Sequence, residues 1–192
     1  MADPRELRNK RLNNEYWELM RINGSIIQIE PIGNAPYERY KITFNIRTII
    51  SPSPTFREKT VCTLTIPPNY PDGYPSITAE HTPYPWHMNW FTNGRWCHGG
   101  WTKEESLVNF IHRCARTLQF DLAIANPDSP ANSSAIAFWE SNKRNRRIIP
   151  SDTQVLPTLD APETIIINNQ QKLQIVIKSQ MGKPKINIIR RE

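Results

Sequence analysis

Six prolines fall between residues 67 and 101, among aromatic residues and glycines, and the only strand-like piece there is the short run Ser-Ile-Thr-Ala-Glu at 76–80. Proline lacks a backbone N–H and fixes φ, so this stretch can form neither a long helix nor a central strand. An irregular segment of this length inside a compact domain is uncommon unless it carries function. Regular elements are therefore sought on either side of it, and chemistry within it.

On the N-terminal side, Leu12, Tyr16 and Leu19 recur at i, i+4 and i+7. They predict an amphipathic helix that closes on a left-handed Gly24, with Arg5, Arg8, Lys10 and Arg11 on its solvated outer face. Three alternating runs at 25–30, 37–47 and 58–66 follow, separated by Gly, Asn, Ser and Pro clusters, and read as an antiparallel meander. On the C-terminal side, Thr102-Lys103-Glu104-Glu105 has the form of a capping box, and Leu107, Ile111, Cys114 and Leu118 repeat at helical spacing. A helix over about 103–119 is expected. The loop at 125–131 then leads to a further helical segment at 133–147, with Ala135, Ile136 and Trp139 facing inward. Beyond Pro150, Pro157 and Pro162, three short apolar runs from Thr164 to Arg190 predict a small β hairpin or meander, whose apolar stripe needs a cover. The expected architecture is α+β: a domain at 1–147, then a linker and basic β-like extension at 148–192.

The formal net charge of +6 is not spread over this plan. Residues 1–142 hold 14 Lys+Arg against 14 Asp+Glu, and residues 143–192 hold 10 against 4. A basic segment attracts acidic partners, but this one contains no Phe, Tyr or Trp on which bases could stack, so nucleic acid is not an expected partner. No apolar run reaches the roughly 18 residues that a membrane span needs, and the first residues have no apolar segment behind their charges. A cytosolic location and no membrane partner are the expectation.

Three cysteines, Cys62, Cys97 and Cys114, stand far apart with no CxxC pair, which argues against a disulfide framework and a zinc ribbon. Cys62 shares parity with Leu64 and Ile66 on a strand, and Cys114 lies on the apolar stripe of a helix, so both are expected to be packing residues. Cys97 alone lies in the irregular loop, in Asn-Gly-Arg-Trp-Cys-His-Gly-Gly-Trp, where Gly94, Gly99 and Gly100 allow close backbone approach. His81, His87, His98 and His112 are the bases on offer, and none has an evident Asn or Asp partner of the kind a cysteine protease needs.

The order of these pieces resembles the ubiquitin-conjugating enzymes. His87-Met88-Asn89 stands where that family has His-Pro-Asn, Asn89 precedes Cys97 by eight positions, and Gly94 precedes it by three. Tyr70-Pro71 with Pro75 is similar to the family's proline-rich turn, and Asn126-Pro127-Asp128-Ser129-Pro130 to its loop before the penultimate helix. The resemblance covers residues 5 to about 145 and implies the fold of that family.

It also implies a chemistry: Cys97 accepts a ubiquitin-like modifier as a thioester from an adenylating activating enzyme and passes it to a lysine or other amine of a target. In this reading Asn89 stabilises the oxyanion or fixes the loop that does, while Asp128 or Ser129 orients and desolvates the incoming amine. Neither a cofactor nor a metal is implied. The alternative is a non-catalytic binding module of the same fold, such as a ubiquitin-conjugating-enzyme variant or an RWD-like domain, which characteristically lacks the cysteine. Three departures accompany the resemblance. Met88 replaces the family's proline, which relaxes the turn presenting Asn89; His98 replaces leucine and is expected to be an exposed bystander; Trp101 follows Cys97 closely, shortening the lid beside the thiol. Asp72, Gly73 and Thr102-Lys103-Glu104 occupy the positions that face RING ligases in the family, so no RING partner is implied.

Overall fold

A computed structural model describes residues 3–53, 55–125, 128–141 and 152–159, together with the backbone of strands at 163–166, 174–178 and 185–189. Its contacts separate two compact units, Met1–Pro157 and Thr158–Glu192. The boundary expected at 147/148 lies outside the described residues; residues 152–157 belong to the first unit.

The first unit is α+β, with an N-terminal helix, an antiparallel sheet and later helices. Helix α1, Pro4–Ile22, begins where the Asp3 side chain accepts the Arg5 N–H and proline takes the first helical position, where its missing donor costs nothing. Leu12 and Leu19 are buried, as the periodicity predicts, Tyr16 is only partly so, and Glu15 and Ile22 are buried as well. The helix does not close on a left-handed glycine: Asn23 caps it in an extended conformation, and its side-chain oxygen accepts the Ile29 N–H. Nor is the basic face wholly solvated. Arg8 pairs with Glu38 and donates to the Pro67 carbonyl, and Arg11 pairs with Glu15 and donates to the Glu105 carbonyl, leaving Arg5 and Lys10 exposed.

The alternating runs form β1 (Ile27–Ile32), β2 (Arg39–Phe44) and β5 (Thr60–Thr65), and the short run in the proline-rich stretch adds β6 (Ser76–Ala79). They pair antiparallel in the order β1-β2-β5-β6. Register aligns Ile29, Ile42, Cys62 and Ala79 across the sheet, and Tyr40, Leu64 and Ile77 beside them, so one face is a continuous apolar layer. Between β2 and β5 a two-stranded hairpin appears, β3 (Thr48–Ser51) with β4 (Thr55–Arg57). The Ser-Pro pairs at 51–54 hid it by reading as a separator, although such residues are also what a tight connection uses.

Helix α2 spans Leu107–Leu118 and buries Leu107, Phe110, Ile111, Cys114 and Leu118. It starts later than the capping box implies. Ser106 is the cap, accepting the Asn109 N–H at 3.2 Å, and Glu105 turns to Arg113 in a bidentate pair instead of back to a Thr102 cap. Helix α3 covers Ser133–Ser141, with Ala135 and Phe138 buried and Ile136 and Trp139 partly so; the expected continuation to 147 lies outside the described residues.

In the second unit β7 (Glu163–Ile166), β8 (Gln174–Lys178) and β9 (Lys185–Ile189) make an antiparallel three-stranded sheet in that order. Register aligns Ile165, Ile175 and Ile188 across it, and Ile177 with Ile186. No helix among the described residues is long and apolar enough to cross a membrane.

Candidate active site

The irregular stretch is tied to the sheet edge by its own backbone. Ala79 N–H donates to the Gly94 carbonyl at 2.8 Å and Trp96 N–H to the Ile77 carbonyl at 2.9 Å, so Arg95 forms an isolated antiparallel bridge to Thr78 of β6. Trp90 bridges back to Trp96, and the Cys97 N–H donates to the Asn89 carbonyl at 2.7 Å. Between them the chain reverses through Gly94, at φ +83 with its Cα against the Tyr84 ring: a Cβ there would lie 2.6 Å from two ring carbons. Glycine is the residue that satisfies both demands. The eight-residue separation of Asn89 and Cys97 is therefore a hairpin that returns the thiol residue to the backbone of the amide residue.

Asn89 is held from behind. Met88 is fully buried in a small second core with Ile49, Phe120 and Phe138, and its carbonyl accepts the N–H groups of Ala131 at 2.7 Å and Asn132 at 3.3 Å. Met88 thus anchors the segment, where a relaxed turn was expected in proline's absence. It also fastens the 128–131 loop one residue from Asn89. Asp128 and Ser129 are exposed on that loop, and Asn126 and Pro127 lie outside the described residues. His87 accepts the Asn89 N–H on Nδ1 at 3.0 Å, and its ring meets Phe120 edge-on. Burial pushes its pKa down to about 3, so the imidazole is neutral at physiological pH with its proton on Nε2. Trp90 donates from Nε1 to Thr117 Oγ1 at 2.9 Å, which pins the same segment to α2.

Of the three thiols, Cys62 and Cys114 are wholly buried, as expected, and burial raises the pKa of both, so they stay protonated and out of reach. Cys97 is partly exposed, at the end of the hairpin. His98 is not the exposed bystander that its position suggests. Its ring is half-buried between Tyr74, Trp96 and Phe110, with centroids 4.8, 6.1 and 5.5 Å away, and its Nδ1–H donates to the Gly100 carbonyl at 2.9 Å. Trp101 closes the next flank, donating to the Pro71 carbonyl at 2.8 Å and meeting Tyr70 and Phe110.

Two groups that sequence reasoning did not single out support this loop. Glu15, 2% exposed, accepts from Arg11 at 2.6 Å, from the Tyr70 hydroxyl at 2.7 Å and from the Leu107 N–H at 2.8 Å, joining α1, the proline-rich turn and the start of α2. Burial and the Glu15 charge hold the Tyr70 phenol far above its usual range, so it remains a donor. Arg113, on α2, reaches Glu105 and the carbonyls of His98 and Gly100. Glu15 is a charge set within the buried apolar stripe of Leu12, Leu19 and Ile22, and Glu105 and Arg113 are eight residues apart, so no local period marks either. Among the described residues no three His, Cys, Asp or Glu side chains gather as a metal site.

No protein-family model matches the chain, and no curated protein matches it.

Proposed function

We propose that this protein is a ubiquitin-conjugating-type enzyme with the corresponding fold, which receives a ubiquitin-like modifier on Cys97 and transfers it to an amine. The observation that carries the reading is the backbone bond from Cys97 N–H to the Asn89 carbonyl, because it brings a reachable thiol residue to the backbone of an asparagine eight positions away in sequence. The alternative, a non-catalytic module of the same fold, characteristically lacks the cysteine.

Acyl transfer through a thiol needs a sulfur to accept the acyl group, donors for the tetrahedral oxyanion, and an oriented amine. The Cys97 thiol gives up its proton to solvent and its sulfur attacks the activated carbonyl at the modifier's carboxyl end, forming the thioester as AMP leaves from the acyl-adenylate that the activating enzyme supplies. The target amine then attacks the thioester carbonyl, the Asn89 amide donates to the oxyanion or fixes the turn that does so, and collapse of the intermediate expels the Cys97 thiolate while the amine's proton passes to solvent. Asp128 and Ser129, on the loop fastened by the Met88 carbonyl, orient the amine and take up its interactions with water. His87, neutral and hydrogen-bonded to the Asn89 backbone, is a support and not a base. The partners in this reading are the modifier, its adenylating enzyme and an amine-bearing target.

Incubation with the cognate activating enzyme, ATP and modifier should give a thiol-reducible adduct of one modifier per chain. Cys97→Ala abolishes it, whereas Cys62→Ala and Cys114→Ala retain it in proportion to folded protein. An adduct that survives Cys97→Ala overturns the proposal.

A further inference from the structure

Directly after the thiol the chain makes a turn that ordinary sequences avoid. Gly99 has φ +78, and the Gly100 N–H donates to the His98 carbonyl at 2.9 Å, the two-residue closure of a γ-turn in its rare positive-φ form. A turn of this kind is strained and persists only where its surroundings hold it. Two side chains hold it here: His98 donates from Nδ1 to the Gly100 carbonyl at 2.9 Å from within the turn, and Arg113 ties the turn to α2. Arg113 Nε and Nη2 meet the two carboxylate oxygens of Glu105, each at 2.8 Å; Nη2 also donates to the Gly100 carbonyl at 2.9 Å, and Nη1 to the His98 carbonyl. Four N–H vectors of a planar fork are thus committed, and the guanidinium lies 5.6 Å from the ring centroids of both Trp96 and Phe110. Arg113 and Glu105 are 29% and 17% exposed, so water competes only in part for these bonds.

We infer that Arg113 is a positioning residue for Cys97, clamping the 98–100 turn against α2 with Glu105 as its anchor, so that the thiol is held in one orientation between the Asn89 hairpin and this turn. Its bearing on acyl transfer rests on the function proposed above; the clamp itself does not. Both ends of Cys97 are then fixed: the N-terminal side by its own N–H on Asn89, the C-terminal side by the two carbonyls on Arg113. Arginine is required because a lysine ammonium on the same stem can meet one or two of these acceptors but cannot present a planar fork to all four.

The experiment is amide hydrogen exchange on the full chain, read together with single-turnover discharge of the Cys97 thioester to a free amine. In Arg113→Ala, the Gly100 and Cys97 amides should exchange at least about tenfold faster, with exchange in the middle of α2 unchanged. Discharge should fall about tenfold, with little change in the amine concentration that half-saturates it. Arg113→Lys should fall between wild type and Arg113→Ala in both readings, and serves as the decisive variant if the alanine form fails to fold. Glu105→Gln, which keeps an acceptor and loses the charge, should shift both in the same direction by less. Unchanged exchange at 97–100 without the guanidinium overturns the clamp, and faster exchange with unaltered discharge overturns its positioning role. A wild-type chain that forms no adduct on Cys97 refutes the proposed function instead, and exchange then decides on the clamp alone.

Discussion

At the scale of single residues, the proposed site separates a reachable thiol and its neighbouring asparagine from the groups that hold them. Asn89 is buried to 7% exposure while its carbonyl is committed to Cys97 and its N–H to His87, so its side chain is aimed by a fixed backbone. Asn89→Ala should therefore load the modifier at close to the wild-type rate but discharge it about 100-fold more slowly, the order expected for loss of one oxyanion donor. Equal losses in both steps, read by single-turnover assays, would mean that Asn89 only shapes the loop. His87 supplies a separate test through pH. An unfolded imidazole protonates near pH 6.5, whereas the buried one resists until about pH 3, so as pH falls through that interval the unfolded state takes up the proton first and stability drops. This one group contributes up to about 1.4 kcal/mol per pH unit. His87→Gln, whose amide oxygen can still accept the Asn89 N–H, should show a shallower decline over the same interval in urea unfolding, with the part due to His112, also depressed by burial, left in place. An identical slope would remove His87 as the cause. That Cys97 is the reachable thiol of the three was legible in the sequence because glycine-flanked loop thiols and buried stripe thiols follow different patterns. The environment of His98 was not, since its cover comes from Tyr74, which lies in another turn of the same loop.

At the scale of elements, local signals decide existence well and boundaries poorly, and α2 shows why. Its apolar period locates the helix, but two candidate caps precede it, Thr102 and Ser106, and the capping-box pattern favours the wrong one. Long-range partners overrule the pattern: Glu15 accepts the Leu107 N–H and Glu105 is drawn to Arg113, so the helix begins at Leu107. Ser106→Ala should consequently destabilise the first unit by about 1 kcal/mol, the usual cost of losing a cap. Thr102→Ala should stay within about 0.5 kcal/mol, as surface substitutions do. Denaturant midpoints with unchanged m-values would measure both, and the reverse ranking would restore the earlier helix start. The same lesson applies to β3 and β4. A four-residue strand and a three-residue strand are too short for alternation to register, and they are stable because Ile49 and Phe56 join the Met88 and Phe138 core, a contact between segments far apart in sequence.

At the scale of the whole molecule, the first unit does not end where its last recognisable helix does. Asp152 accepts the Arg47 N–H at 2.9 Å, the Gln119 side chain donates to the Gln154 carbonyl at 2.7 Å, and the Gln154 side chain donates to the Asn45 carbonyl at 3.2 Å. A segment rich in proline and polar residues reads as a linker by composition, and nothing in its own sequence reveals that its partners are backbone groups after β2 and the end of α2. Gln119 is 8% exposed, and removing its acceptor would leave a nearly buried amide without that bond. Net contributions of about 1 kcal/mol per bond, more where a buried group is stranded, make residues 152–157 worth roughly 3 kcal/mol to this unit. Two truncations separate linker from structure. A chain ending at Pro157 should unfold cooperatively with its urea midpoint set by the first unit, and Cys97 should alkylate at the full-length rate. A chain ending at residue 147 should lose about 3 kcal/mol, because Arg47, Asn45 and Gln119 are each deprived of a partner at once. Equal midpoints for the two truncations would show that the segment contributes nothing and return the boundary to residue 147. A larger loss in the shorter chain, with m-value preserved, would make residues 152–157 part of the domain that carries the thiol.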